Sequence, residues 1–163
     1  KNASEKIYNT QSTSFSCDLL KWLQIMQTYE NGGHAYHATM PTDAIKHFRD
    51  TINETAEFGF DRARDKQQEL GDRVRALLNK HHFISVAEDG FHAPGVVVSY
   101  TKDQAIHNGS KFKDMGIQIA AGVPLQCDEG EDYQTFRLGL FGLDKLKNVD
   151  AAVQKLEDAF NNL

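Results

Sequence analysis

The residue type best suited to hold a ligand in this sequence is Arg137, in the run Thr135-Phe136-Arg137-Leu138-Gly139-Leu140-Phe141-Gly142. Its aromatic and aliphatic content predicts a strand. Side chains alternate between the faces of a strand, which groups Phe136, Leu138 and Leu140 on one side and Arg137, Gly139 and Phe141 on the other. With the first three facing a core, Arg137 projects from rigid backbone beside a glycine that has no side chain to block a ligand. A planar guanidinium fixed in this way grips a carboxylate through two parallel hydrogen bonds, which lysine cannot reproduce. The same pattern also describes an edge-strand arginine that ends in solvent or in a weak surface ion pair, and pattern alone favours that plainer reading.

A second group lies in Glu30-Asn31-Gly32-Gly33-His34-Ala35-Tyr36-His37-Ala38-Thr39-Met40-Pro41, a loop opened by two glycines and closed by a proline. Proline is tolerated in the first turn of a helix, so a helix is expected to follow. Tyr36 and Thr39 bring two hydroxyls to its start, where free N–H groups and the helix dipole favour an anion such as phosphate. The alternative is that Thr39 or Thr42 only caps the helix while Tyr36 packs. His34 and His37 are three apart but have no third ligand at a recognisable spacing. They read as structural or solvent-exposed, and no metal site is assigned.

Those residues need elements to position them. The polar segment 1–14 reads as an extended lead-in, and from Ser16, placed to cap the first turn, Leu19, Leu20, Trp22, Leu23 and Met26 recur at helical spacing. Ala44, Phe48, Ile52 and Phe58 mark an amphipathic helix ending near Gly59, and a second runs from about Asp61 to Lys80 with Ala63, Leu70, Val74 and Leu77 inward. His81-His82 then sits at a helix end, with no chemistry assigned. Phe83–Val86 and Gly95–Tyr100 read as strands, as does the short Gly116–Ala120. Asp103–Met115 is a helix weakened by Asn108-Gly109, and a last helix opens at Asn148 or Asp150 with Val153, Leu156 and Phe160 inward. The second half is therefore expected to be a small α+β domain of mostly antiparallel strands covered by helices, and the first a helical arm.

A chain of 163 residues with a formal charge of −5 and no basic run gives no footprint for nucleic acid or an anionic membrane surface. No apolar run is long enough for a membrane span. Cys17 and Cys127 stand far apart and outside any C-x-x-C arrangement, which speaks against a disulfide framework and for a reducing, cytoplasmic setting.

Taken together, Ser14-Phe15-Ser16-Cys17-Asp18-Leu19-Leu20-Lys21-Trp22-Leu23, Tyr36-His37-Ala38-Thr39-Met40-Pro41 and Phe136-Arg137-Leu138-Gly139-Leu140-Phe141-Gly142 resemble, in order and approximate spacing, segments of the class V aminotransferases. The closest likeness is to the alanine–glyoxylate and serine–glyoxylate transaminases. The resemblance spans nearly the whole chain and implies the C-terminal portion of a fold-type I pyridoxal-phosphate enzyme. Residues 1–58 would be the end of the large cofactor-binding domain with the long connecting helix, and 59–163 the small α+β domain. It implies that Arg137 holds the substrate's α-carboxylate. Tyr36 and Thr39 would reach the phosphate of pyridoxal 5'-phosphate across the interface of a homodimer. The activity implied is transfer of an amino group from a small amino acid to a 2-oxo acid. In the family the lysine that forms the Schiff base lies upstream of all three motifs. Lys1 stands too late to be that lysine, so this polypeptide is expected to contain no catalytic residue and to be inactive alone.

Two rival readings remain. A cysteine desulfurase or lyase of the same fold needs a nucleophilic cysteine on a mobile loop; Cys127 precedes the Arg137 strand, but its neighbours Asp128 and Glu129 disfavour a thiolate. A free-standing, non-catalytic interaction domain whose apolar arm docks on a partner is the other.

Overall fold

The computed structural model describes residues 2–162; Lys1, set aside above as the cofactor-linking lysine, lies outside the described residues. The chain divides into two compact units, Lys1–Arg49 and Asp50–Leu163.

In the first unit the lead-in is not extended. It forms α1 (Asn2–Tyr8), closed by Thr10 Oγ1 donating to the Lys6 carbonyl at 2.8 Å and Asn9 Nδ2 donating to the Glu5 carbonyl at 3.0 Å. These side chains satisfy carbonyls that a helix end leaves open, and Gln27 Nε2 donates to Tyr8 Oη at 2.9 Å from α2 (Leu19–Glu30). The cap of α2 is Asp18 rather than Ser16: its carboxylate accepts from the Lys21 backbone N–H at 3.1 Å. A carboxylate there both fills the open donor and meets the positive end of the helix dipole. Ser16 instead turns its carbonyl to Trp22 Nε1, 3.1 Å away. α3 (Thr42–Phe58) carries the chain into the second unit.

The second unit continues with α4 (Phe60–Lys80), entered through Gly59 at φ +97°, a conformation that costs glycine little. Then come β1 (Val96–Tyr100), α5 (Gln104–His107), α6 (Ser110–Asp114), β2 (Ala120–Ala121), β3 (Thr135–Gly139), α7 (Leu143–Leu146) and α8 (Val149–Phe160). Asn108-Gly109 does break the helix expected over 103–115, Gly109 adopting φ +81° between α5 and α6. α8 is capped by Asn148, whose side chain accepts from the Ala151 N–H at 3.0 Å.

The fold is α+β, with a three-stranded antiparallel sheet in the order β1-β3-β2. One face of the sheet is packed: Val97, Phe136 and Leu138 meet Leu70, Val74 and Leu78 of α4, Ile106 and Phe112 of α5 and α6, and Leu156 and Phe160 of α8. Phe112 stacks on Phe136 with centroids 5.9 Å apart and meets Phe160 edge-on at 5.5 Å.

Two expected strands are shorter than their sequences indicate. Residues 83–86 make one bridge, Ser85 to Ser99, flanked by Val86 N–H to the Val98 carbonyl at 3.0 Å and Tyr100 N–H to the Ile84 carbonyl at 2.9 Å. Ser85 Oγ then donates to the Ala87 carbonyl at 2.9 Å, a local turn that draws the chain off the ladder. Residues 116–119 are held to the end of α6 by Ile117 N–H to the Phe112 carbonyl at 2.9 Å, leaving only Ala120–Ala121 to pair with β3.

Candidate substrate-carboxylate site

Arg137 lies in the middle of β3, the central strand, with Val98 of β1 and Ala120 of β2 opposite it in register. The predicted division of faces holds: Phe136, Leu138 and Leu140 are 0%, 4% and 6% exposed, whereas Gly139 and Phe141 are exposed and Arg137 is half-buried. Alternation therefore sends the Arg137 side chain out of the face opposite the core. This is not the edge-strand arginine of the plainer reading.

The guanidinium is oriented from the side. Arg137 Nε donates to the Ala121 carbonyl at 2.8 Å, and no acidic side chain competes for the rest of the fork: among the described residues no carboxylate comes within ion-pair distance, and Nη1 and Nη2 have no hydrogen-bond partner. Two parallel N–H donors remain for a planar acceptor, the geometry in which arginine binds carboxylates. Sequence reasoning could not have supplied the Ala121 carbonyl, because a backbone acceptor carries no side-chain signature.

The loop between β2 and β3 has its own anchor. Glu129 accepts from the Gln126 N–H at 2.9 Å and from the Cys127 N–H at 2.8 Å, and these backbone bonds hold its carboxyl down at about 2. Gln126 and Asp128 adopt φ of +62° and +64° around it. Cys127 is exposed, but loss of water around Sγ and then the Glu129 carboxylate push its thiol above the usual range. A thiol so placed is a poor nucleophile at neutral pH.

A buried arginine that the sequence reading passed over braces the sheet from behind. Arg75 on α4 is 8% exposed and donates through Nη2 to the Ala93 and Val96 carbonyls at 2.7 and 3.2 Å. Burial lowers its pKa, with Asp72 opposing. Four residues before it, Gly71 lets Pro94 approach so closely that a Cβ there would lie 2.7 Å from the Pro94 carbonyl oxygen. A lone glycine among the core positions of α4 was the available signal.

Tyr36 and Thr39 belong to the first unit. Tyr36 is 77% exposed and Thr39 is exposed, and neither hydroxyl has a partner among the described residues. They approach the start of α3, where the Ile45 N–H bonds the Pro41 carbonyl at 3.0 Å. His37 is a packing residue: its ring lies 4.1 Å from Phe15 and 5.1 Å from Trp22, centroid to centroid. His34 meets Tyr29 edge-on at 5.8 Å. No group of His, Cys, Asp or Glu among the described residues is arranged to hold a metal ion, and no described helix is long and apolar enough to cross a membrane.

The chain is similar to the crystal structure of an alanine–glyoxylate aminotransferase from Nostoc sp., with a TM-score of 0.57 and 17% identity. The fold is similar to that of part of the Nostoc protein. The match takes in 84% of this chain and 36% of the Nostoc protein, so the chain spans about a third of that enzyme's length. The likeness is one of fold: no family profile and no curated protein matches the sequence.

Proposed function

We propose that this chain is the C-terminal part of a pyridoxal-phosphate-dependent class V aminotransferase of fold type I. It would move an amino group from a small amino acid to a 2-oxo acid in a cytoplasmic homodimer. In this reading residues 1–58 belong to the large cofactor-binding domain and 59–163 form the small domain. The cofactor-linking lysine is supplied by polypeptide outside this chain, which is inactive alone.

The observation that carries the proposal is the Arg137 fork, held through Nε by the Ala121 carbonyl and left with two terminal nitrogens free of any carboxylate among the described residues. It supports a clamp that binds the α-carboxylate common to the amino acid and the 2-oxo acid. Fixing that end of the substrate orients the bonds at the α-carbon, a contribution through positioning rather than proton transfer. Gly139 on the same face carries no side chain of its own, and the Phe141 ring lies over it.

Pyridoxal phosphate, when bound, supplies the electron sink for the transfer. The residues of the first unit fit its phosphate in donor chemistry: Tyr36 and Thr39 offer exposed hydroxyls at the approach to α3, where the helix dipole favours an anion and Asp43 in the first turn opposes one. These two would hold the phosphate from the neighbouring subunit. The raised Cys127 thiol argues against the desulfurase alternative.

Arg137→Lys in the full-length enzyme tests the assignment. Loss of a bidentate charge-assisted pair costs about 1.5–3 kcal/mol, roughly 10- to 100-fold in kcat/KM for both amino acid and 2-oxo acid. Cofactor absorbance should be unaltered. Steady-state kinetics equal to wild type would remove Arg137 from the site.

A further inference from the structure

We infer that Gly122 and His107 are positioning residues for the Arg137 guanidinium, acting through the Thr135 carbonyl to set the Ala121 carbonyl that holds Arg137 Nε. The inference rests on Arg137 being a carboxylate clamp and adds what keeps the clamp aimed.

The fixed point is Thr135, 1% exposed at the start of β3. Its backbone oxygen has two lone pairs, and both are used: the Gly122 N–H donates to it at 3.0 Å and His107 Nδ1 donates to it at 2.6 Å. The first bond fastens the loop just after β2 to the central strand, and the second fastens α5 to the same oxygen. Only glycine allows the first. A Cβ at position 122 would collide with Thr135 Oγ1 and with the Thr135 carbonyl itself.

Thr135 sits in the packed central strand and Gly122 in an open loop, so a side chain at 122 drives the loop away rather than the strand. Ala121 moves with it. The residue pairs with Phe136 in register, and its carbonyl is the acceptor 2.8 Å from Arg137 Nε. An arginine tethered through Nε loses rotation about its last side-chain bonds, which keeps Nη1 and Nη2 aimed as a pair. Released, the guanidinium samples several orientations, and a planar ligand must first select one.

The test uses the 15N-labelled chain and follows the Arg137 Nε–H signal, identified by its absence in Arg137→Lys. Its exchange with water is compared with that of Arg62, an exposed arginine whose guanidinium lies 4.7 Å over the Phe58 ring. In the unaltered chain Arg137 should exchange about fivefold more slowly than Arg62. Gly122→Ala and His107→Phe should each remove most of that protection while the Phe136 amide keeps its own, which separates loss of the tether from general loosening. The propionate concentration needed to shift the Arg137 Nη signals should rise in both. Arg137 exchanging as fast as Arg62 in the unaltered chain, or equally slowly with and without the substitutions, overturns the inference. If Gly122→Ala fails to fold, His107→Phe and the unaltered chain decide. A propionate response that survives in Arg137→Lys defeats the clamp instead, whatever the exchange rates show.

Discussion

Gly71→Ala sets two effects of opposite sign against each other. Helix propensity predicts stabilisation by about 1 kcal/mol, since glycine is the poorest non-proline residue inside a helix. The structure predicts the reverse. A Cβ at 71 would lie 2.7 Å from the Pro94 oxygen and 3.0 Å from its Cα, backbone atoms that cannot rotate aside. The segment would have to retreat by about 0.7 Å to reach ordinary contact. That retreat stretches the bonds from Gln67 Nε2 to the Pro94 carbonyl at 3.0 Å and from Arg75 Nη2 to the Ala93 carbonyl at 2.7 Å. Overpacking of this kind costs about 1–3 kcal/mol and weakening of a charged hydrogen bond about 1 more. After the propensity gain, the net is a loss of about 1–3 kcal/mol. For a chain of this size the melting temperature then falls by roughly 3–9 °C. Urea and thermal unfolding followed by far-ultraviolet circular dichroism measure it. Ala76→Gly, exposed on the same helix, is the control and should cost about 1 kcal/mol through propensity alone. A Gly71→Ala protein as stable as the parent, or more so, would show that α4 and Pro94 are not in the close contact that braces β1.

Phe136→Ala removes a fully buried ring that contacts Phe83 and Phe112, and should cost about 3–5 kcal/mol in urea unfolding. A loss under about 1 kcal/mol would mean the packed face of β3 is not the core. The folded Glu129 carboxyl is depressed, so its contribution to loop order is fully present above the ordinary carboxylate range and disappears as pH falls through about 2. The amide signals of Gln126 and Cys127 should accordingly shift with a midpoint near 2; a midpoint at the ordinary glutamate value would contradict the backbone bonds. Alkylation of Cys127 by iodoacetamide at neutral pH should be slower than that of a free thiol, and faster after Glu129→Gln; equal rates would separate the raised thiol from its acidic neighbour.

How much of this was legible depended on whether the deciding interaction was local. Gly59 between two amphipathic patterns marks the junction of α3 and α4, and the structure breaks there because that one residue takes φ +97°. Alternation along Phe136, Leu138 and Leu140 likewise gave the buried face of β3. α1 left no trace in hydrophobic periodicity, since side-chain bonds to its last carbonyls and the Tyr8–Gln27 contact hold it. Phe83–Val86 has the residue types of a strand, but propensity does not reveal how many partners β1 offers or that Ser85 turns the chain away. At the site, the residue type and its direction were readable. Its seat on the central strand, the Ala121 acceptor and the buried Arg75 brace were not, because each depends on backbone brought together from distant parts of the sequence.

The local charge pattern strengthens the case for a ligand at Arg137. Acidic residues outnumber basic ones 23 to 18 in this chain. On the second unit Arg73 bonds Asp150 and Glu69, Lys80 bonds Glu157, Lys111 bonds Asp103 and Lys147 bonds Glu54. Those pairs lie on largely solvated surfaces, where each is worth little. Arg137 is half-buried as Arg73 and Lys111 are, but unlike them it forms no ion pair with a carboxylate among the described residues. A partly desolvated cation gains more from a counter-ion than an exposed one, because the surrounding dielectric screens the pair less. A carboxylate from within the chain would quench that gain permanently. In the proposed function, leaving the position open reserves it for the substrate's carboxylate.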